Sequence, residues 1–349
     1  MANPRAGLER RRARMASAVS VPREEAPNLS KTKKPKTQKN PLRRPTLDME
    51  QPRTYSDVMT PKRSSGYQTF WKSTTRRFLG DRRALLGLCA MGLMIFLALF
   101  APLVAPQEPG EIRIADRFLS PGPGRWLGTD DCGRDVLSRI IYGSRVTLAV
   151  GILSVVIYSM VGIVIGMAAG YCGGIIDFLL TRLINVFMCF PSFFLALAAL
   201  SVVERNVINL VLVISLTGWP SLARIVKTEV KRLMRMEFVS AARMTGAGTT
   251  SLLLRHVLPN LAGPVIVAAT LGVGGAILIE CGLTFIGIGL PHDIPSWGQL
   301  LAAGREAIQY AWWLALFPGI AILGSVAGCN MIGESLRDAL DPRFGIDGV

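Results

Sequence analysis

Cysteine and histidine are common in metal and redox sites, and both are sparse in this sequence. The 349 residues include six cysteines and two histidines. No two cysteines form a C-x-x-C pair, and His256 and His292 are too far apart to suggest a shared set of ligands. Five of the cysteines lie in or beside apolar segments, where cysteine behaves as a small hydrophobic residue. We therefore expect neither a metal site nor a disulfide framework.

Nucleotide chemistry is not supported by the sequence either. The phosphate-binding pattern G-x-x-x-x-G-K-[ST] is absent, and no lysine in the chain follows a glycine. In that pattern the backbone of the glycine-rich loop surrounds the phosphates and the lysine reaches them. We predict that the protein is not an enzyme and holds no cofactor of its own. If its function uses ATP, another polypeptide must hydrolyse it.

Acidic residues cluster in one polar segment, residues 126–139. Asp131, Asp135 and Arg139 recur at four-residue intervals, which predicts that acid and base share one face of a helix. A carboxylate cluster could serve catalysis or calcium binding, but neither calcium-ligand spacing nor a nucleophile accompanies this one. We interpret the segment as structural and ion-paired.

Glu280 is the only charged residue between Val257 and Leu290. A carboxylate at membrane depth is costly unless it faces a cavity or a partner, so one hypothesis makes Glu280 a residue of a transport pathway or gate. The alternative, which we favour, is that the helix ends near Ile279 and that Glu280 lies in the outer membrane interface.

Long apolar segments are the elements that would position these residues. Hydrophobic residues make up 50% of the chain and charged residues 18%, which favours a membrane protein. About 20 uncharged residues in a helix are enough to cross the hydrocarbon core. Six such spans are predicted, at residues 84–104, 146–169, 183–203, 207–223, 257–279 and 311–333. The predicted fold class is an all-α polytopic membrane protein with six transmembrane helices in the lipid bilayer.

Small residues recur at four-residue intervals in the second predicted span, at Gly162, Gly166 and Gly170. This small-x-x-x-small pattern allows the backbones of two membrane helices to approach closely. The sequence therefore predicts that the spans pack together as a bundle.

The distribution of charge predicts the orientation of the spans. Residues 1–83 hold 21 lysines and arginines and 7 acidic residues, so most of the net charge of +15 lies there. With both termini inside, the inside segments hold 31 of the 39 basic residues, seven of them in the loop 224–256. Basic residues near membrane spans favour the cytoplasmic side. We predict an N-in, C-in topology.

Residues 1–70 differ from the rest of the chain. They are rich in Pro, Ser, Thr, Lys and Arg and lack apolar periodicity, so we predict a disordered basic tail before a membrane domain at residues 71–349. An Arg-rich start is also compatible with a transit peptide, but contact with anionic lipid at the cytoplasmic face is favoured. We do not expect nucleic-acid binding, because prolines dilute the basic residues and aromatic residues are not interleaved with them.

The loop 224–256 contains a short amphipathic pattern. Phe238, Ala241, Ala242 and Thr245 fall on one helix face, on which Phe238 is the large apolar side chain. Gly246 permits a turn, and a second helical piece follows at residues 251–257. Two short helices joined at a glycine would present a knob to a groove on a soluble partner. The alternative is an ordinary amphipathic helix in the membrane interface.

The spacing of Ser240-Ala241-Ala242, Gly246 and Leu258-Pro259 resembles the EAA loop of ABC-importer permeases, with Ser240 at the position of the usual Glu. Further motifs are similar to the second, C-type permease subunit of dipeptide, oligopeptide and nickel importers. They are LGTD and GRDVLSR within residues 127–139, LTFIGIG and PSWG within residues 283–298, and LRDALDPR at residues 336–343. The resemblance covers about residues 70–344.

This resemblance implies a multi-pass inner-membrane permease with six helices and a cytoplasmic coupling loop. It implies four kinds of partner: a second homologous permease in a heterodimer, two ATPases that bind ATP and Mg, an extracytoplasmic substrate-binding protein, and lipid. The implied contact with the ATPase comes from the EAA loop. The residues on its matched positions, or beside them, are Glu237, Phe238, Ser240, Ala241, Ala242 and Gly246.

Three alternatives to peptide import stay open at this point. The same architecture could import nickel or another small solute. A secondary transporter would run on an ion gradient, but it would usually show buried ionisable residues, for which Glu280 is the only candidate. A membrane scaffold could use the basic tail to recruit partners.

Overall fold

A computed structural model describes residues 74–340, so the predicted basic tail at residues 1–70 lies outside the described range. Residues 74–340 are mostly helical and contain no β-strand, only two isolated bridges. The helices are α1 (Arg82–Leu99), α2 (Ala101–Val104), α3 (Val136–Cys172), α4 (Gly174–Cys189), α5 (Ser192–Leu200), α6 (Val207–Leu233), α7 (Glu237–Met244), α8 (Thr249–Ser251), α9 (Leu258–Phe285), α10 (Trp297–Ala307) and α11 (Trp313–Leu340). A π-helical turn (Leu252–Val257) joins α8 to α9.

Within residues 74–340, five helical stretches, or six when one bent pair of helices is counted as a span, are apolar and long enough to cross a membrane. Five are unbroken helical stretches: α1, α3, α6, α11 and the stretch Thr249–Phe285 that contains α8 and α9. The sixth consists of α4 and α5, which meet at an angle of 83°. Pro191 lies at the bend, where a residue without a backbone N–H interrupts the helical hydrogen bonds. The predicted number of spans agrees with this arrangement, with the third span broken at its proline.

The helices extend beyond the apolar spans predicted from the sequence. Helix α3 begins at Val136, where the side chain of Asp135 accepts a hydrogen bond from the Ser138 N–H, whereas the predicted span began at residue 146. Helix α6 continues to Leu233, so the first part of the predicted loop 224–256 is helical. The sequence prediction used the absence of charge, but a helix continues through charged residues once it leaves the hydrocarbon core.

Helices α3 and α6 pack closely and run parallel to each other. A Cβ atom added at Gly166 would lie 2.6 Å from the backbone oxygen of Ala223, and one at Gly170 would lie 2.7 Å from Cβ of Val230. Real Cβ atoms are not found so close to other heavy atoms, so the two backbones depend on the glycines for this approach. The close packing predicted from the glycine spacing is confirmed.

The two ends of the described bundle lie side by side. The Ser335 hydroxyl, near the end of α11, donates a hydrogen bond to Asp81, the residue before α1, at 2.6 Å. Gly87, which follows Asp81 in the chain, lies against Gly328, which precedes Ser335, so α1 and α11 are antiparallel. Leu340, the last residue of α11, also lies beside Gly263 near the start of α9. The start of α1, the start of α9 and the end of α11 therefore share one end of the bundle.

Helix α10 was not predicted from the sequence. The Ser296 side chain accepts a hydrogen bond from the Gln299 N–H and caps the helix. Trp297 is completely buried; its indole N–H donates to the carbonyl of Ile140, and its backbone N–H donates to Thr147 Oγ1. These contacts fix α10 against α3, at the bundle end opposite to the start of α9. The helix is too short and too polar to have been found by a search for membrane spans.

The polar segment before α3 is ion-paired, as predicted, but with different partners. Arg139 binds Asp130 at 2.5 Å, and Arg134 binds Asp130 at 2.7 Å and Asp131 at 3.3 Å. Asp135 caps α3 instead of pairing with Arg139. The predicted shared face of Asp131, Asp135 and Arg139 is wrong, because the helix begins only after Asp135.

Candidate functional site

The polar loop between α6 and α9 is built around α7, a helix of eight residues. Glu237 occupies its first turn, where a carboxylate is favoured by the positive end of the helix dipole. The helix ends at Met244, and Gly246, two residues later, has a φ of +83°. The Gly246 N–H donates to the Arg243 carbonyl and the Ala247 N–H to the Ala242 carbonyl, a pair of bonds typical of a glycine-terminated helix. The predicted glycine turn between two helical pieces is confirmed.

One face of α7 packs against the bundle. Val239 and Ala242 are buried and form a small apolar cluster with Leu252 of the π turn. Tyr171, near the end of α3, and Met234, just after α6, pack against this cluster. Since both residues lie at the ends of long helices, α7 is held directly on two of the membrane spans.

The opposite face of α7 is open. Phe238 is 40% exposed and Met244 is 84% exposed. Glu237, Ser240, Ala241 and Gly246, the other residues on or beside the matched positions, are exposed as well. Apolar side chains exposed on one face of a helix are typical of a surface that docks onto a partner.

Ala242 is an exception among the predicted coupling residues. The sequence placed it on the same face as Phe238, yet its exposed fraction is 8% and it faces the bundle. Periodicity identifies residues that share a face but does not say which face turns inward. Val239, three positions before Ala242, is the large residue that anchors the helix, and Met244 is the exposed residue that the sequence pattern missed.

The surroundings of α7 are positively charged. Lys227 and Lys231 are bound to Asp177 of α4 at 2.6 Å, and Arg232 is bound to Glu229 at 2.7 Å. Three more arginines nearby are exposed and take part in none of the ion pairs found in residues 74–340. They are Arg235, Arg243 and Arg255.

The loop continues without a break into a membrane span. The Leu258 N–H donates to the Leu253 carbonyl, five residues back, which marks the π turn. Pro259 follows and has no N–H, so it cannot donate the hydrogen bond to the carbonyl four residues back that an α-helix requires. The π turn therefore occurs where the α-helical hydrogen bonds are interrupted. The second helical piece predicted at residues 251–257 therefore exists as this turn, and it is continuous with α9 rather than separate from it.

Glu280 lies far from this loop, and the favoured prediction for its location is wrong. Helix α9 continues to Phe285 rather than ending near Ile279, and Glu280 is completely buried instead of lying in the outer interface. Periodicity did not reveal this, because the helix continues for five residues after Glu280 and its end is covered by α10, which was not predicted.

The buried carboxyl group of Glu280 is surrounded by hydroxyl and thiol donors. Thr284 Oγ1 and Cys281 Sγ each lie 3.1 Å from its oxygens. Thr147 of α3 and Ser296, the cap of α10, also hydrogen-bond it. The group therefore connects α3, α9 and α10. A role for Glu280 in a pathway or gate stays a hypothesis.

Residues 74–340 contain no group of three or more His, Cys, Asp or Glu side chains arranged to hold a metal ion. The structure instead shows an exposed helix, α7, that is anchored on the spans α3 and α6. The segment that follows α7 continues into a third span, α9.

Comparison with known proteins shows similarity along most of the chain. Residues 162–346 match the family model described as the binding-protein-dependent transport system inner membrane component, and residues 69–121 match the N-terminal TM domain of oligopeptide transport permease C. The di/tripeptide transport system permease protein of Pseudomonas aeruginosa is 41% identical over 287 residues, which cover 80% of this chain and 93% of that protein.

Two further relatives come from other bacteria. The dipeptide transport system permease protein of Alkalihalophilus pseudofirmus is 38% identical over 78% of this chain and 90% of its own length. The oligopeptide transport system permease protein of Bacillus subtilis is 32% identical over 79% of this chain and 90% of its own length.

Proposed function

Since the chain belongs to the family of binding-protein-dependent transport system inner membrane components, we propose that it is a permease subunit of an ATP-driven importer of di- and oligopeptides. The observation that carries the proposal is the position of α7. It exposes Phe238 and Met244 to solvent while Val239 fixes it to the membrane spans. A soluble motor that binds such a helix would exert force on α3, α6 and α9 together.

The proposed orientation places α7 in the cytoplasm. The start of α1 and the end of α11 lie at the same end of the bundle as the start of α9, which follows α7 in the chain. The basic residues near this end favour the cytoplasmic side. Both observations support the proposed N-in, C-in topology in the inner membrane of a bacterium.

The proposed assembly contains four other protein subunits. A second homologous permease completes a heterodimeric pathway, two ATPases bind ATP and Mg, and an extracytoplasmic binding protein delivers the substrate. This chain performs no chemistry in that assembly, and its coupling residues are Glu237, Phe238, Ser240, Ala241 and Gly246 on the surface of α7 and its turn. Ala242 acts through packing.

Peptide transport is the favoured activity because the relatives named above are di-, tri- and oligopeptide permeases. The test is uptake of radiolabelled di- and tripeptides into proteoliposomes that contain the complete complex, ATP and the binding protein. We expect ATP-dependent peptide uptake. Nickel uptake without peptide uptake would support the same architecture with a different substrate, and uptake driven by an ion gradient without ATP would contradict the proposal.

The docking role of α7 needs its own measurement. Replacing the exposed Met244 by Ser should reduce the amount of ATPase that copurifies with the permeases, because it removes an apolar contact. A matched control is Met160→Ser, an exposed methionine in the middle of α3. Equal losses of ATPase in both variants would argue against docking at α7.

A further inference from the structure

A cavity of about 210 Å³ lies at the bundle end distal to α7. Its walls come from the segment before α3, the start of α3, the residue before the cap of α6, the end of α9 with the loop that follows, and α10. We call it the distal cavity. Under the orientation proposed above it opens on the extracytoplasmic side of the membrane.

Arginine dominates the charged lining of the distal cavity. Four guanidinium groups and two carboxylates contribute to its walls: Arg134, Arg139, Arg205, Arg305, Asp131 and Glu306. Phe285, Leu290 and Pro291 add an apolar part to the lining. A small cavity with an apolar wall and several converging cationic groups has the composition of a site for an anion.

The inner arginines are held rigidly by the acidic residues behind them. Asp130 is completely buried and binds Arg139 at 2.5 Å and Arg134 at 2.7 Å. Arg134 also binds Asp131 at 3.3 Å. One carboxylate is therefore shared between two guanidinium groups, which leaves part of their hydrogen-bonding capacity unused.

Arg139 shows this unused capacity directly. The residue is 2% exposed, and its Nε has no hydrogen-bond partner within the part of the chain that the structure describes. An unpartnered buried donor on a charged group is costly to the protein. Because Arg139 also lines the distal cavity, a guanidinium group with incomplete hydrogen bonding contributes to the cavity wall.

The rim of the distal cavity is cationic and open to solvent. Arg205 is exposed and belongs to none of the ion pairs among residues 74–340. Arg305 lies over the ring of Phe285, and its contact with Glu306 is long, at 3.7 Å, with both side chains mostly exposed. An ion pair this exposed contributes little to the stability of the protein, so Arg305 is free to bind another partner.

We propose that the distal cavity binds a carboxylate side chain presented by the extracytoplasmic substrate-binding protein, an inference that rests on the function proposed above. A carboxylate matches the planar fork of a guanidinium group. Asp131 and Glu306 in the lining would repel a more highly charged anion such as phosphate.

Size favours a protein side chain over a transported peptide. Sites for whole small molecules usually occupy about 300–1,000 Å³, which is more than this cavity provides. A glutamate or aspartate side chain fits the smaller volume, and the protein surface around it would cover the exposed Arg205 and Arg305. Paired charges at the rim of an interface mainly increase the rate and specificity of association.

The experiment measures docking of the binding protein to the complete complex in lipid nanodiscs, with and without bound peptide, at low and physiological salt. Arg205→Glu and Arg305→Glu should each weaken binding by about ten-fold or more at low salt, because they replace attraction by repulsion. Their affinities should also depend less steeply on salt. Arg205→Ala should give a smaller loss.

Arg117→Glu is the matched control, since Arg117 is an exposed arginine of the segment between α2 and α3 that does not line the cavity. It should leave docking unchanged. Assembly of each variant is checked by size-exclusion chromatography and basal ATP hydrolysis, so that a folding defect is not mistaken for a loss of docking. Arg139 is not used, because removing it would leave Asp130 buried without one of its partners.

Three results would overturn the proposal in distinguishable ways. Docking of the rim variants with wild-type affinity would remove the distal cavity from the interface while leaving the importer function intact. A second result would be unchanged docking together with weaker binding of free peptide. Binding of the peptide would be compared with binding of its C-terminal amide, which lacks the terminal carboxylate. A loss seen only with the free acid would assign the bound carboxylate to the substrate. A wild-type complex that neither binds the binding protein nor transports peptide would overturn both proposals.

Discussion

The hydroxyl of Tyr171, at the end of α3, lies 2.9 Å from the hydroxyl of Thr249 in α8. This hydrogen bond joins a membrane span to the segment that follows the α7 turn, and the Tyr171 ring also packs on the cluster that anchors α7. The loop between α6 and α9 is therefore connected to α3 by both a polar and an apolar contact.

Removing only the polar contact should have a small but measurable effect. Tyr171→Phe keeps the ring and loses the hydroxyl, a change that typically costs about 0.5–1.5 kcal/mol. We expect a moderate decrease in peptide molecules transported per ATP hydrolysed. Thr249→Val should give the same decrease, and the double variant should be no worse than either one, because both remove the same bond. Additive losses would show that the two residues act separately.

Gly246→Val should uncouple ATP hydrolysis from transport. A β-branched residue is strained at a φ of +83°, at a typical cost of about 1–3 kcal/mol, so the turn that ends α7 would change shape. The measurement is ATP hydrolysis stimulated by the loaded binding protein, together with uptake. Gly248→Ala is the control, since its φ is −65° and no atom lies within 4 Å of the added Cβ. Normal stimulation in Gly246→Val would contradict the prediction.

Glu280 should tolerate Gln but not Leu. A glutamine side chain retains a carbonyl oxygen that can accept from the hydroxyls of Thr147, Thr284 and Ser296, whereas leucine leaves these buried O–H donors without their acceptor, at about 1–3 kcal/mol. Thermal unfolding in detergent should show a lower midpoint for Glu280→Leu and a nearly unchanged midpoint for Glu280→Gln. Loss of transport in a stable Glu280→Gln protein would instead support the pathway or gate hypothesis.

Gly166→Ala should destabilise the bundle, although Ala is normally the better helix former. The new Cβ would lie 2.6 Å from the Ala223 oxygen and 2.7 Å from Cβ of Val226, and overpacking of this kind costs about 1–3 kcal/mol. Gly275→Ala in α9 meets no atom within 4 Å and should be neutral or stabilising by about 0.5–1 kcal/mol. The measurement is the thermal unfolding midpoint of each variant. Equal midpoints for Gly166→Ala and Gly275→Ala would mean that α3 and α6 move apart more easily than their packing indicates.

The features that the sequence predicted correctly depend on local rules. Six spans follow from hydrophobic length, the approach of α3 and α6 from the spacing of Gly166 and Gly170, and the turn after α7 from Gly246. Each of these needs only the residue types within a few helical turns.

The features that it missed depend on contacts between distant segments. Ala242 turns inward because Tyr171 and Met234 provide an apolar surface for Val239, and Tyr171 belongs to α3, which is far from α7 in the chain. Glu280 is buried because α10 covers it, and α10 is fixed by Trp297 packing on α3, about 150 residues away in the chain. Burial of a polar group is a property of the assembled bundle, so periodicity could not reveal it.

The helical stretch Thr249–Phe285 begins beside α7 and ends at the distal cavity, whose lining includes Thr284 and Phe285. At about 1.5 Å per residue its 37 residues extend for roughly 55 Å. A single element thus touches both proposed docking sites, and thermodynamic linkage makes any coupling through it reciprocal. The factor by which ATP-bound motor subunits change the affinity for the external partner must equal the factor by which that partner changes the affinity for ATP. Two equilibrium titrations made independently, one from each side of the membrane, should therefore give the same number.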